Sequence, residues 1–117
     1  MNRFRLLAVL TLLFLAAPAS AKVTRYLTGS RADMNPPLAG PVLNLGGGGS
    51  DVDAGLQAMI DLARRCTDCA TKVDVVILRT TGSDGYNSYI YAMNGVDSVE
   101  TLVITRVADS NTVPVEV

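Results

Sequence analysis

An apolar run in the second half of the chain predicts a buried β-strand. Residues 73–78 (Val-Asp-Val-Val-Ile-Leu) are almost continuously apolar and end at Arg79, which is typical of a strand covered on both faces of a parallel sheet. Residues 99–104 (Val-Glu-Thr-Leu-Val-Ile) predict a further strand. A shorter run at residues 42–45 leads directly into four glycines, and we predict a strand there too. Residues 22–28 are a weaker candidate for another strand.

Apolar positions at helical spacing lie between these runs. Residues 50–64 carry an apolar stripe made of Val52, Leu56, Met59, Ile60 and Ala63. We expect Ser50 to cap this helix, because Asp53 follows three residues later, as in a capping box. Residues 86–94 predict a second, shorter helix that stops at Gly95.

The resulting order of strand, helix, strand, helix, strand predicts an α/β fold with a partial parallel, Rossmann-like sheet. Residues 113–117 would begin a further helix, so we expect a truncated sheet. Ligands of open parallel sheets bind beyond the carboxyl ends of the strands. These ends are predicted at residues 46–51, 79–86 and 105–111.

The first 21 residues have the pattern of an export signal. A basic start at Arg3 and Arg5 precedes an apolar run over residues 6–17 and small residues at Ala19–Ala21. The run is shorter than the ~20 residues that span a bilayer. We therefore expect cleavage after about Ala21 and a periplasmic or extracellular location, with residues 22–117 as the N-terminal part of an α/β domain. An uncleaved membrane anchor is the weaker alternative.

Charge excludes one class of partner. The chain has 10 Lys and Arg against 11 Asp and Glu, and losing the two arginines of the signal takes its net charge from −1 to about −3. Proteins that bind nucleic acids carry a basic surface. We therefore expect no nucleic-acid partner, and no membrane contact after signal cleavage.

The four glycines precede a predicted helix, whose first backbone N–H groups favour an anion or a developing oxyanion. Gly47 and Gly48 are therefore candidates for binding a substrate carboxylate or an oxyanion, and a tight turn without a ligand explains the same sequence equally well. A dinucleotide fingerprint needs a third glycine where Asp51 or Val52 stands. No Gly-Lys-Ser/Thr follows, which excludes a nucleoside triphosphate loop.

A second loop rich in glycine and hydroxyl groups follows Arg79. Ser83 is not on a Gly-x-Ser-x-Gly elbow, because Thr81 stands two residues before it. The chain has no histidine, which excludes a Ser-His-Asp or Cys-His arrangement within it. Arg79 either pairs with a substrate carboxylate or bonds a neighbouring loop. Capping and turn roles explain three nearby carboxylates, which are only weak catalytic candidates: Asp51, Asp53 and Asp84.

Cys66 and Cys69 are three residues apart. In an exported protein, a disulfide that closes a short loop is the plainest interpretation. A redox role is weaker, because the pair follows a helix instead of starting one. Free thiols or metal ligands are the remaining alternatives, although two cysteines without histidine supply only half of a zinc site. We expect no metal and no cofactor.

Three segments carry a family resemblance. They are residues 45–53 (Leu-Gly-Gly-Gly-Gly-Ser-Asp-Val-Asp), residues 75–87 (with Leu-Arg-x-x-Gly-x-Asp-Gly-Tyr-Asn) and residues 98–104 (Ser-Val-Glu-Thr-Leu-Val-Ile). In this order they are similar to the opening, second-strand and third-strand motifs of cyanophycinase-like serine peptidases. These are relatives of the alpha-aspartyl dipeptidases and have a class I glutamine-amidotransferase-like fold.

The resemblance implies hydrolysis of aspartyl peptides by a serine on a Gly-x-Ser-Ala-Gly elbow, with a histidine further along. This sequence contains neither, so we expect an N-terminal part of such an enzyme that is inactive alone, with a partner chain as one source of the missing half. The resemblance implies that six residues form the wall of the substrate or oxyanion site and that none of them is catalytic. They are Gly47, Gly48, Asp51, Arg79, Ser83 and Asp84. The alternative is a small exported binding module that uses the glycine loop for a carboxylate or phosphate.

Overall fold

The computed structural model describes residues 23–37, 40–46 and 49–112. Its elements are β1 (Thr24–Gly29), α1 (Asp53–Arg64), β2 (Val73–Arg79), α2 (Asn87–Tyr91), β3 (Val96–Val103) and a 3-10 helix (Val107–Thr112). The predicted α/β class is confirmed. The first strand is Thr24–Gly29, which corresponds to the weaker candidate at residues 22–28. The expected export signal and the helix expected at residues 113–117 lie outside the described residues.

β3 is the central strand of a mixed three-stranded sheet with the order β1-β3-β2. β2 runs parallel to β3, and β1 runs antiparallel to it, with Tyr26 opposite Thr101. The predicted parallel pairing is therefore confirmed for β2 and β3, and it is wrong for β1. Parallel pairing needs a crossover connection, which α2 and its flanking loops provide between β2 and β3. β1 is the kind of antiparallel edge strand that many otherwise parallel sheets carry.

Residues 42–45, predicted as the strand before the glycines, have no strand structure. The side chains of Leu43 and Leu45 are 80% and 84% exposed, so the apolar run is not covered by another layer. Asn44 contacts α1 instead, since its Nδ2 lies 2.8 Å from the position that a Cβ on Gly55 would take. The predicted strand–glycine–helix unit is therefore wrong at its first element.

α1 begins at Asp53, three residues later than predicted. Val52 is its N-cap in an extended conformation, and no side-chain hydrogen bond caps the helix. The Val52 carbonyl accepts hydrogen bonds from the N–H groups of Gly55 and Leu56, at 2.9 and 3.1 Å. The predicted capping box of Ser50 and Asp53 is therefore wrong, because the helix starts beyond the reach of Ser50.

Both helices pack on one face of the sheet. Ile60 of α1 and Ile90 of α2 belong to a single buried cluster with Val73, Val96 and Val99. Side chains alternate between the two faces of a strand. The opposite face carries three exposed apolar side chains, those of Leu27, Val76 and Leu78. β2 was predicted to be covered on both faces, and this is wrong: β2 is an edge strand, and β3 is the strand that is largely buried along its whole length.

α2 has only five residues and is held to the sheet by Asn87, which is 1% exposed. The Nδ2 of Asn87 donates to the carbonyls of Tyr26 in β1 at 3.0 Å and of Val99 in β3 at 3.2 Å. Its Oδ1 accepts a hydrogen bond from the Thr101 hydroxyl at 2.6 Å. Helices this short are not stable by themselves in water, so the position of α2 depends on these tertiary bonds.

Candidate functional site

The carboxyl ends of β2 and β3 lie at one edge of the sheet because the two strands are parallel. Residues 80–86 leave β2 at this edge, and the segment after β3 begins there. The N–H of Ile104 donates to the Arg79 carbonyl at 2.8 Å and joins the two exits. Open α/β sheets bind their ligands at this edge, so it is the candidate site.

The Arg79 side chain organises the loop that follows it. Its guanidinium lies 5.7 Å from the centre of the Tyr86 ring, within the range of a cation–π interaction. Its Nη1 donates to the Ser83 carbonyl at 3.4 Å. A Cβ on Gly82, where φ is +94°, would stand 3.1 Å from Nη2. Of the two roles predicted for Arg79, the structure shows the bond to a neighbouring loop.

Tyr86 and Tyr89 connect this loop to the start of α1. Their rings meet edge to face, with centroids 6.2 Å apart and an interplanar angle of 64°. The Tyr89 hydroxyl donates to Asp53 Oδ1 at 2.5 Å. That hydrogen bond, burial, and the charges of Asp53 and Asp51 raise the pKa of Tyr89 to about 12. Tyr89 therefore stays protonated at neutral pH and acts as a hydrogen-bond donor, not as a base.

Some of the predicted site residues come together at this edge. Gly47 and Gly48 lie outside the described residues. Asp51 is exposed, and its charge acts on Tyr89. Ser83 and Asp84 are exposed on the loop after β2, and the Asp84 carbonyl accepts the N–H of Asn87 at 2.8 Å, where α2 begins.

A shallow pocket of about 490 Å³ lies beside this edge, between the start of α1 and the end of α2. Its polar lining includes Asp53 and Gln57 of α1, Tyr89 of α2, and Asn94. Gln57 is held in place on both sides, donating to the Asn94 carbonyl at 2.8 Å and accepting from the Asn94 N–H at 3.1 Å. A larger groove of about 1000 Å³ lies between residues 30–36, β2 and α1, and none of the predicted site residues lines it.

The edge offers binding groups but not a complete catalytic set. A serine nucleophile needs an adjacent base, and the chain has no histidine to serve Ser83. Within residues 23–37, 40–46 and 49–112, no group of three or more His, Cys, Asp or Glu could hold a metal ion. A serine–histidine pair at this edge would therefore need a histidine from outside this chain.

Cys66 and Cys69 form a disulfide that closes the loop after α1, with their Cα atoms 6.0 Å apart. This agrees with the plainest of the predicted interpretations. Both sulfurs are used in the bond, so free thiols and a metal-ligand pair do not describe this state of the protein.

Three residues make contacts that were not predicted from the sequence. Asn87 and Tyr89 bind partners 61 and 36 residues away, and no local pattern points to such pairs. The third is Arg64, at the end of α1, whose side chain is fully buried. The one available signal was its position two residues before the Cys66–Cys69 loop, whose carbonyls it binds.

No protein-family model, no curated protein and no solved structure matches this chain. In the part of the chain that the structure describes, the helices are too short or too polar to cross a membrane.

Proposed function

We propose that this chain forms the substrate-binding wall of an exported cyanophycinase-like serine peptidase and is inactive alone. Its nucleophilic serine and histidine come from residues outside this sequence, further along the polypeptide or on a partner chain. The proposal is carried by one observation: contacts run from Arg79 through Tyr86 and Tyr89 to Asp53. Two of the motif segments therefore meet at one edge of the sheet, although they are distant in sequence.

Each part of this wall has a distinct role in the proposal. Arg79 keeps the loop after β2 folded, so that Ser83 and Asp84 face solvent beside the parallel strand ends. Carboxylates at the start of α1 and on this loop attract the amino group of a peptide. The resemblance assigns the backbone N–H groups of Gly47 and Gly48 to the binding of a carboxylate or an oxyanion.

The first test is the nucleotide sequence downstream of codon 117. The proposal expects an in-frame or frameshifted stretch that encodes Gly-x-Ser-Ala-Gly, with a histidine codon further along. Absence of such a stretch in every frame, and of a partner gene that encodes it, would contradict the proposal.

The second test is a titration of the purified chain, followed by NMR. An aspartyl dipeptide should shift the amide signals of residues 49–53 and 82–87 without being hydrolysed, and the asparaginyl dipeptide should shift them less. Asp84→Asn should weaken this binding at least threefold, whereas Asp33→Asn, an exposed aspartate on residues 30–36, should leave it unchanged. Cleavage of either peptide by this chain alone would refute the proposal. Equal binding of inorganic phosphate would favour the small binding module instead.

A further inference from the structure

Arg64 places a positive charge inside the described structure, at the end of α1. Its side chain is fully buried, and its guanidinium lies against Gly95. Gly95 has a φ of +88°, and a Cβ there would collide with the guanidinium. A buried charge is costly unless it is paired and hydrogen bonded. The groups that bind Arg64 therefore decide whether this packing persists.

Two of those groups belong to the disulfide loop. Asp61 Oδ1 accepts from Arg64 Nε at 3.1 Å and from Nη2 at 2.7 Å. The carbonyl of Thr67 accepts from Nη2 at 2.5 Å, and the carbonyl of Cys69 accepts from Nη1 at 3.4 Å. The Thr67 carbonyl carbon is part of the ring that the Cys66–Cys69 bond closes, and the Cys69 carbonyl is attached directly to that ring, so the bond restricts where both carbonyls point.

The same loop is tied to the turn before β3. Asn94 Nδ2 donates to the Thr67 carbonyl at 3.1 Å, and the Gly95 carbonyl accepts the N–H of Val73 at 2.9 Å. The disulfide ring, Arg64 and this turn therefore form one contact unit. That unit joins the end of α1 to the starts of β2 and β3.

The two cysteines differ in their exposure to solvent. Cys69 is exposed, whereas Cys66 is half-buried with its Sγ 3.4 Å from the Arg64 carbonyl oxygen. Thiol–disulfide exchange begins when a thiolate attacks an accessible sulfur. An external thiol therefore reaches Cys69 first.

We propose that the Cys66–Cys69 disulfide is a thiol-exchange site and a redox-sensitive latch that holds the loop carbonyls on Arg64. A dithiol reductant supplies two electrons. Its thiolate bonds to Cys69 Sγ, the Cys66–Cys69 bond breaks, and Cys66 leaves as a thiolate that takes up a proton. The second thiol of the reductant then attacks the mixed disulfide, releases the Cys69 thiol and closes the reductant as a cyclic disulfide. In the reduced protein the Thr67 and Cys69 carbonyls are free to leave Arg64, and the unit loosens locally.

The test is amide hydrogen exchange on the full chain, oxidised and after reduction with dithiothreitol. Reduction should speed exchange at least tenfold at the Val73 amide and at the Nε–H of Arg64. Amides of the β1–β3 pair should stay within twofold. Unchanged exchange at the first two positions would overturn the proposal. Equal acceleration throughout the sheet would also overturn it, because the disulfide would then staple the whole fold.

A second measurement distinguishes the latch from an ordinary disulfide. Arg64→Lys removes the planar fork that binds both loop carbonyls. It should make the disulfide about tenfold easier to reduce in a dithiothreitol equilibrium, which is ~30 mV for a two-electron couple. The matched control is Arg65→Lys, at an exposed arginine next to it, which should stay within twofold of wild type. An Arg64→Lys equilibrium within twofold of wild type would contradict the proposal.

Discussion

Replacing Asn87 with alanine tests whether one buried side chain holds α2 on the sheet. The substitution removes the donor to the Tyr26 and Val99 carbonyls and the acceptor of the Thr101 hydroxyl. All of these groups lie between β1, β3 and α2, where Thr101 is 0% exposed. The variant therefore leaves a buried hydroxyl without its present acceptor.

The expected cost follows from the number of bonds. Three hydrogen bonds of good length are lost, and each contributes ~1 kcal/mol net. The fourth contact, to the Thr28 hydroxyl at 3.4 Å, is at the limit of a hydrogen bond and adds little. Asn87→Ala should therefore lower the free energy of unfolding by about 3 kcal/mol, a large part of the ~5–15 kcal/mol that stabilises a typical domain.

Urea denaturation of the oxidised protein, followed by circular dichroism, measures this change. The matched control is Asn35→Ala, at an exposed asparagine, which should change stability by less than ~0.5 kcal/mol. In a double-mutant cycle, Asn87→Ala and Thr101→Val should be less costly together than the sum of their separate effects, because both remove the same bond. A loss below ~1 kcal/mol for Asn87→Ala, or strict additivity with Thr101→Val, would refute this account of α2.

Three further predictions concern titration and backbone strain. The hydrogen bond from Arg64 lowers the pKa of Asp61 below its ordinary 3.8. The stabilising effect of Asp61 is therefore present above pH 3.8 and is lost as the pH falls through the folded-state pKa. The urea midpoints of wild type and Asp61→Asn should differ at pH 7 and converge in acid. Tyr89 should ionise near pH 12 in an ultraviolet titration, and Asp53→Asn should move its pKa back towards 10. The stabilising effect of Tyr89 should be complete below pH 10 and lost as the pH rises through the folded-state pKa of about 12. An unchanged titration would contradict the hydrogen bond. Gly95→Ala should lower the free energy of unfolding by about 3 kcal/mol, measured by thermal unfolding. Gly40 also has a positive φ but open space around it, so Gly40→Ala should lower this free energy by only about 1 kcal/mol. Equal losses for the two variants would show that packing of Gly95 against the Arg64 guanidinium does not matter.

The helices and the two parallel strands could be predicted from the sequence because their signals are local. β2 and β3 correspond to apolar runs, and the α1 stripe repeats with the helical period. The ends of these elements moved by a few residues, as α1 shows by starting at Asp53. A helix start depends on which backbone groups find partners, and the Val52 carbonyl took the role expected of Ser50.

Strand pairing was predictable only in part. Residues 42–45 are apolar, but a strand also needs a neighbour with free backbone groups, and an apolar run does not specify one. The direction of β1 could not be predicted either, because the apolar pattern of a single strand is compatible with parallel and antiparallel pairing. Its partner, β3, is known only once the chain has folded.

The sheet edge at which the sequence places the candidate site is present in the structure, because β2 and β3 are parallel, but the contacts at this edge were not predicted. Arg79 and the loop after it follow from the rule for parallel strand ends. The Tyr89–Asp53 bond joins residues 36 positions apart, and the burial of Arg64 depends on Gly95. Such contacts could not be predicted from the sequence, because each of them depends on how two separate elements pack against each other.

The pairing of β1 with β3 has a consequence for biosynthesis. Arg25 and Glu100, which form an ion pair across these strands, are 75 residues apart. At a synthesis rate of ~5–20 residues per second, roughly 4–15 s separate the emergence of the two strands from the ribosome. During that interval the first strand has no complementary edge among the strands described here. Pairing of β1 with β3 can therefore begin only after the ribosome has synthesised Val96–Val103.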